Sequence, residues 1–123
     1  MVLFFFRFIA NNISKKILHL NIIYNMKIML SQQQINIIIS TLKPFNPTKI
    51  GIFGSYSRDE NTSNSDIDIL YSFNFKYSLF DLAGLQIDLQ EKLKIDVDLV
   101  EYSAIHPKLK AAILLDEKVV YEQ

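Results

Sequence analysis

Between residues 31 and 121 the hydrophobic positions change period several times, and each change marks an element. Ile35, Ile38, Ile39 and Leu42 recur at helical spacing behind Ser31 and Gln34, a pair spaced as a capping box. Pro44 and Pro47 stop that helix. Thr48 to Phe53 reads as a buried strand, and Gly54-Ser55 ends it. A short helix is expected to open at Tyr56 and run to Glu60, with its first amides facing the turn. The polar run Asn61-Thr62-Ser63-Asn64 is a loop.

From Ser65 to Phe73 the alternation is that of a strand, with Ile67 and Ile69 directed to a core and Asp66 and Asp68 to the other face. Leu79, Leu82, Ala83, Leu85, Gln86, Leu89 and Leu93 outline a helix ending near Lys94. A third strand follows over 95–101, with Ile95, Val97 and Leu99 inward and Asp96 and Asp98 outward. His106-Pro107 starts a last helix, and Val119 to Tyr121 is expected as a short edge strand. The order is an α/β pattern without internal repeat or flexible linker.

A chain of 123 residues buries one modest core. Half of its residues are hydrophobic, which argues against disorder, and zero cysteines exclude disulfides, thiol catalysis and zinc–thiolate sites. The formal charge is zero, but residues 1–58 hold seven Lys or Arg and no acid, whereas residues 59–123 hold all thirteen acids. The basic half is read either as an attractor of phosphates or of an acidic partner, or as an ordinary solvated surface. No basic stripe of the kind that tracks nucleic acid is evident.

Val2 to Ala10 is apolar but interrupted by Arg7, too short for a bilayer span and without a signal-peptide cleavage pattern. Residues 1–28 are read as an N-terminal extension, from an early start codon or as a partner-binding helix, and residues 29–123 as the domain. A domain beginning at Met29 would leave this extension outside the core, and a cytoplasmic location is expected.

The chemistry concentrates in Gly54-Ser55, followed after ten residues by Asp66-Ile67-Asp68. A turn with free amides is an anion site, and two carboxylates on one face of a strand can share a cation. An adjacent strand could add Asp98, with Asp96 on the same face as the alternative. Three carboxylates about 4 Å apart would repel by roughly 4 kcal/mol per pair at an effective dielectric near 20, so they require protons or a metal. Mg²⁺ suits carboxylate and phosphate oxygens. Other chemistries lack their motifs. There is no Gly-x4-Gly-Lys-Ser/Thr loop, no Gly-x-Gly-x-x-Gly fingerprint and no hydrolase elbow around Ser55, and only His19 and His106 are available as imidazoles.

Gly54-Ser55-Tyr56-Ser57-Arg58-Asp59-Glu60, Ser65-Asp66-Ile67-Asp68-Ile69-Leu70 and Val97-Asp98-Leu99-Val100 resemble the minimal nucleotidyltransferases (MNT) of the DNA polymerase β superfamily. The resemblance runs from about Met29 to the C-terminus. It implies a small mixed sheet with helices packed on one side. It implies that Asp66 and Asp68 hold two Mg²⁺ ions and that Asp98 is the third carboxylate, which assists the acceptor hydroxyl. Gly54 and Ser55 would take the nucleotide phosphates, with Ser65 and Arg58 as further nucleotide contacts; Arg58 could instead pair with Asp59 or Glu60.

Ser57 and Asp59 depart from the Ala and Gly usual in the family, and Asp59 adds negative charge near the triphosphate path. The implied activity is transfer of AMP from ATP. The implied role is that of an antitoxin which attaches AMP to a tyrosine of a HEPN toxin encoded next door. The alternatives are a nucleotide- or partner-binding module that neutralises by masking, and a transferase for a small-molecule hydroxyl.

Overall fold

The computed structural model describes residues 30–58 and 60–123. The N-terminal extension expected over 1–28, the domain start at Met29 and the charge effect expected of Asp59 lie outside the described residues. Helix α1 (Gln32–Leu42) begins behind Ser31, whose side chain accepts from the Gln34 amide while the Gln34 side chain accepts from the Ser31 amide. A 3₁₀ turn over Lys43–Phe45 follows, and Asn46, in the left-handed region at φ 54°, turns the chain into strand β1 (Pro47–Phe53). Strand β2 is Ile67–Phe73 and helix α2 is Leu79–Leu93, capped by a Ser78–Asp81 box. Strand β3 (Val97–Glu101), helix α3 (Pro107–Asp116) and strand β4 (Lys118–Glu122) complete the order.

Four strands form one mixed sheet in the order β3-β2-β1-β4. β1 runs antiparallel to both β2 and β4, whereas β2 and β3 are parallel, joined by α2 as a crossover. One face packs against α1 and α2: Ile50, Ile52, Ile67, Ile69, Tyr71 and Val97 meet Ile38, Leu42, Leu85, Leu89 and Leu93. Six of these, together with Leu70, are entirely excluded from solvent, which is the main favourable term in a domain this small. Helix α3 stands outside that layer and buries none of its side chains.

Two expectations need adjustment. The strands begin two residues later than expected, at Ile67 and Val97, because Ser65 closes the preceding loop and the Ile67 amide is the first to bond across, to the Asp96 carbonyl. The short helix expected over 56–60 is replaced by a 3₁₀ turn at Gly54–Tyr56. The Gly54 carbonyl there accepts from the amides of Ser57 and Arg58 and from the Ser57 hydroxyl, at 3.1, 3.2 and 2.8 Å, which closes the turn instead of propagating it.

Candidate functional site

The sheet face opposite α1 and α2 carries Asp68 and Asp98, together with the buried Leu70. Its register places Phe53 beside Asp68, Gly51 beside Leu70, and Asp68 beside Asp98. Both aspartates therefore arise from the same alternation that sends Ile67, Ile69 and Val97 into the core. Parallel pairing of β2 and β3 sets them side by side, a juxtaposition no local pattern contains. Asp66 lies just before β2 and is exposed.

The turn after β1 closes this group. Gly54 has φ 73°, and a Cβ at this position would overlap Asp68 Oδ2. Glycine is required both for the left-handed backbone and for the approach of the carboxylate. Burial raises the Asp68 carboxyl to about 6, reinforced by the charges of Asp98 and Asp66 and a hydrogen bond with Asp98; the Arg58 guanidinium opposes the rise. Burial and two neighbouring carboxylates thus make the ionised form of Asp68 costly where no counter-charge is bound.

The sequence-derived residues divide into two groups. Gly54, Asp68 and Asp98 are brought together by direct geometry, with Ser55 in the same turn and Asp66 near enough to act on Asp68. Ser65 is engaged in its loop, its hydroxyl accepting from the Thr62 amide at 2.8 Å. Asp66, Ser65 and Asp96 instead line an open cavity of about 420 Å³ with Gln90 and Lys94. Asp98, rather than Asp96, is thus the β3 carboxylate facing Asp68. Arg58 makes the expected surface pair with Glu60 (3.0 Å) and a second one, unanticipated, with Asp116 (2.6 Å).

Sequence reasoning also missed the Ser57 hydroxyl, which bonds the Gly54 carbonyl and is buried. The Ser57 departure from the family pattern therefore has a structural use. It missed the clamp on the β3 edge as well, where Gln86 donates to the Val97 carbonyl (2.7 Å) and Gln90 accepts from the Val97 amide (3.0 Å). The signal for the clamp was available in two glutamines one turn apart on the sheet-facing side of a helix.

The donor set consists of hard carboxylate oxygens, and the elevated proton affinity of Asp68 is the condition a divalent cation would relieve. Among the described residues no group of three or more carboxylate or imidazole side chains is placed to hold a metal ion. The in-register pair Asp68 and Asp98 offers two carboxylates, the number with which Mg²⁺ binds when water and substrate phosphate complete its shell.

A mixed sheet with a glycine turn against in-register aspartates defines a class of phosphate-handling enzymes, and comparison with known proteins agrees. The family model described as Polymerase beta, Nucleotidyltransferase matches residues 33–123. The chain belongs to the polymerase β nucleotidyltransferase family and is an enzyme of that class.

It is similar to the protein adenylyltransferase MntA of Thermococcus cleftensis, with 35% identity over 98 residues covering 76% of this chain and 97% of the relative. A Methanocaldococcus jannaschii protein, provisionally named a protein adenylyltransferase, is 46% identical over 77 residues, covering 63% of this chain and 83% of the relative. Among solved structures, a chain of a toxin–antitoxin crystal structure with AMP-PNP superposes with a TM-score of 0.66 at 28% identity, covering 72% of this chain and 73% of that one. A chain from a complex of tri-AMPylated Shewanella oneidensis HEPN toxin with MNT antitoxin gives 0.62 at 26%, covering 76% and 74%.

Among the described residues no helix is long and apolar enough to cross a membrane.

Proposed function

We propose that this protein transfers AMP from ATP to a side-chain hydroxyl, a tyrosine in our reading, of a HEPN-type toxin encoded nearby, and so acts as its antitoxin in the cytoplasm. The observation that carries the reading is the contact of the Gly54 turn with Asp68, itself in register with Asp98. The relatives named as adenylyltransferases, and the toxin–antitoxin complexes among the structural neighbours, support the choice of AMP and of a protein acceptor.

The Gly54-Ser55 turn would receive the β and γ phosphates, with the glycine allowing backbone approach and the serine offering hydroxyl and amide donors. Asp66 and Asp68 would hold two Mg²⁺ ions, with Asp98 completing the set on the acceptor side. Bound there, Mg²⁺ supplies neutralisation of phosphate charge. The acceptor oxygen forms a bond to the α phosphorus, the α–β phosphoanhydride bond breaks, and pyrophosphate departs with its electron pair. Asp98 receives the acceptor proton. Catalysis on this scheme is positioning and charge compensation, with no covalent intermediate on the protein.

Co-expression with the neighbouring gene, followed by intact-mass measurement of both products, tests the reading. AMP additions on the neighbour, lost with Asp66→Asn, are expected. An unmodified neighbour that still binds tightly would replace transfer by masking. Transfer only to small hydroxyl compounds would replace the acceptor class.

A further inference from the structure

Arg58 is anchored to the candidate phosphate turn by its own backbone, since its amide donates to the Gly54 carbonyl at 3.2 Å. Its guanidinium points to two carboxylates, Glu60 Oε2 at 3.0 Å from Nε and Asp116 Oδ2 at 2.6 Å from Nη1. Asp116 is the last residue of α3, 58 positions further along the chain. The pair is open to solvent, with side chains 43% and 35% exposed. The next residue is its opposite: the Glu117 side chain is only 5% exposed, accepts from the Tyr102 hydroxyl and faces Lys49 at 3.8 Å. Glu117 also occupies the space above Gly51 that a side chain there would fill. One acid fastens the end of α3 to the sheet, and the other rests on the turn through an exposed bond.

We infer that Asp116 is a counter-ion exchanged for nucleotide phosphate, so that it sets ATP affinity by holding Arg58 in reserve and gives up the tie between α3 and the turn when ATP binds. The inference rests on the reading of the Gly54 turn as the triphosphate site. The magnitudes favour exchange. The Asp116 contact is a single Nη1–Oδ2 bond in an exposed ion pair, worth about 0–1 kcal/mol, whereas a triphosphate brings several negative charges and can take the guanidinium bidentately. Leaving Asp116 unpaired costs little, because water reaches it. Helix α3 buries no side chain of its own, so loss of the Asp116 contact loosens it while Glu117 keeps its end attached. Asp116 is a positioning residue in this scheme, acting through Arg58.

The test is ATP binding by calorimetry, with Mg²⁺, to the full chain and to Asp116→Asn, Arg58→Ala and the double variant, with Asp116→Ser as a second replacement should the amide disturb folding. Asp116→Asn is expected to tighten ATP binding by about twofold to fivefold, the upper part of the range of one exposed ion pair. Arg58→Ala is expected to weaken binding, and Asp116→Asn added to it to change nothing further. A general electrostatic effect would instead persist without Arg58, and that result overturns the exchange. Unchanged or weaker binding in both Asp116 variants, with Arg58→Ala still harmful, overturns the exchange but leaves the nucleotide site standing. No ATP binding to the unaltered chain removes both. Hydrogen exchange supplies a second readout: α3 amides are expected to exchange faster with ATP bound, and unchanged or slower exchange overturns the loosening of α3.

Discussion

The two faces of this sheet are made from the same four strands and, at the site, obey opposite rules. On the helix-backed face, Ile67, Ile69 and Val97 are sealed from water and add to stability. On the other, Asp68 and Asp98 sit one residue away along the same backbone and work against it, since burial, with crowding by Asp98 and Asp66, raises the Asp68 carboxyl to about 6. Because side chains alternate with a period of two, a strand can combine both without compromise in its backbone. The rigid apolar face fixes the register, and the register forces together groups that would otherwise separate. The site is an electrostatic cost carried by a core on the far side of one layer of backbone.

The comparison breaks most sharply at the carboxylates. Asp68→Asn and Asp98→Asn are each expected to lower nucleotidyl transfer by about a thousandfold or more, roughly 4 kcal/mol of transition-state stabilisation, while circular dichroism stays unchanged. Asp96→Asn is expected to retain most activity; the reverse order in a pyrophosphate-release assay would reassign the third carboxylate to Asp96. One residue along, Ile69→Ala should do the converse, costing about 2–5 kcal/mol in urea unfolding by opening a cavity under the sheet.

Gly54→Ala joins both faces of the comparison. Its φ of 73° and the overlap with Asp68 Oδ2 predict a loss of about 1–3 kcal/mol in stability together with reduced ATP affinity. Retention of both would show that the turn relaxes without consequence.

A smaller effect sharpens the electrostatic half. The folded state holds the Asp68 proton more tightly than the unfolded chain, up to about pH 6 compared with 3.8. Between those values unfolding releases a proton, so stability contributed by this group is present below pH 3.8 and lost as pH rises to 6. Metal-free Asp68→Asn protein should therefore melt about 3 °C above the parent at pH 7.5, a figure discounted for solvent access, with the gap closing toward pH 4. Added Mg²⁺ should raise the melting temperature of the parent alone. Smallest of all, a chain beginning at Met29 is expected to unfold within about 2 °C of the full chain, because the capping box at Ser31 and the buried set from Ile38 onward lie after it.

The elements and the alternation were legible because they depend on neighbours two to four residues apart. Ser31 and Gln34 announced α1, the prolines its end, and Asp66, Asp68 and Asp98 their outward face. The turn at Gly54 was misjudged in form, since a helical start and a closed 3₁₀ turn differ only in which donors reach one carbonyl. There the Ser57 hydroxyl adds a third donor to that carbonyl. Helix α3 shows another limit. It was expected only as a last helix, and no local pattern told that Leu109 and Leu115 would remain 56% and 86% exposed beside a core that α1 and α2 already complete.

By itself the sequence determined the order of the strands and the three helices, the core face, the carboxylate strands and the Gly54-Ser55 turn, together with the family to which they belong. These are written in short-range spacing, which backbone geometry converts directly into sides of a strand or helix. Only the tertiary structure decided that Asp98 rather than Asp96 stands against Asp68, that Gly54 is closed by the Asp68 carboxylate, and that Arg58 reaches Asp116. Those partners are 14 to 58 residues apart, and whether they meet depends on strand register and crossover, which are set by the packing of the whole core.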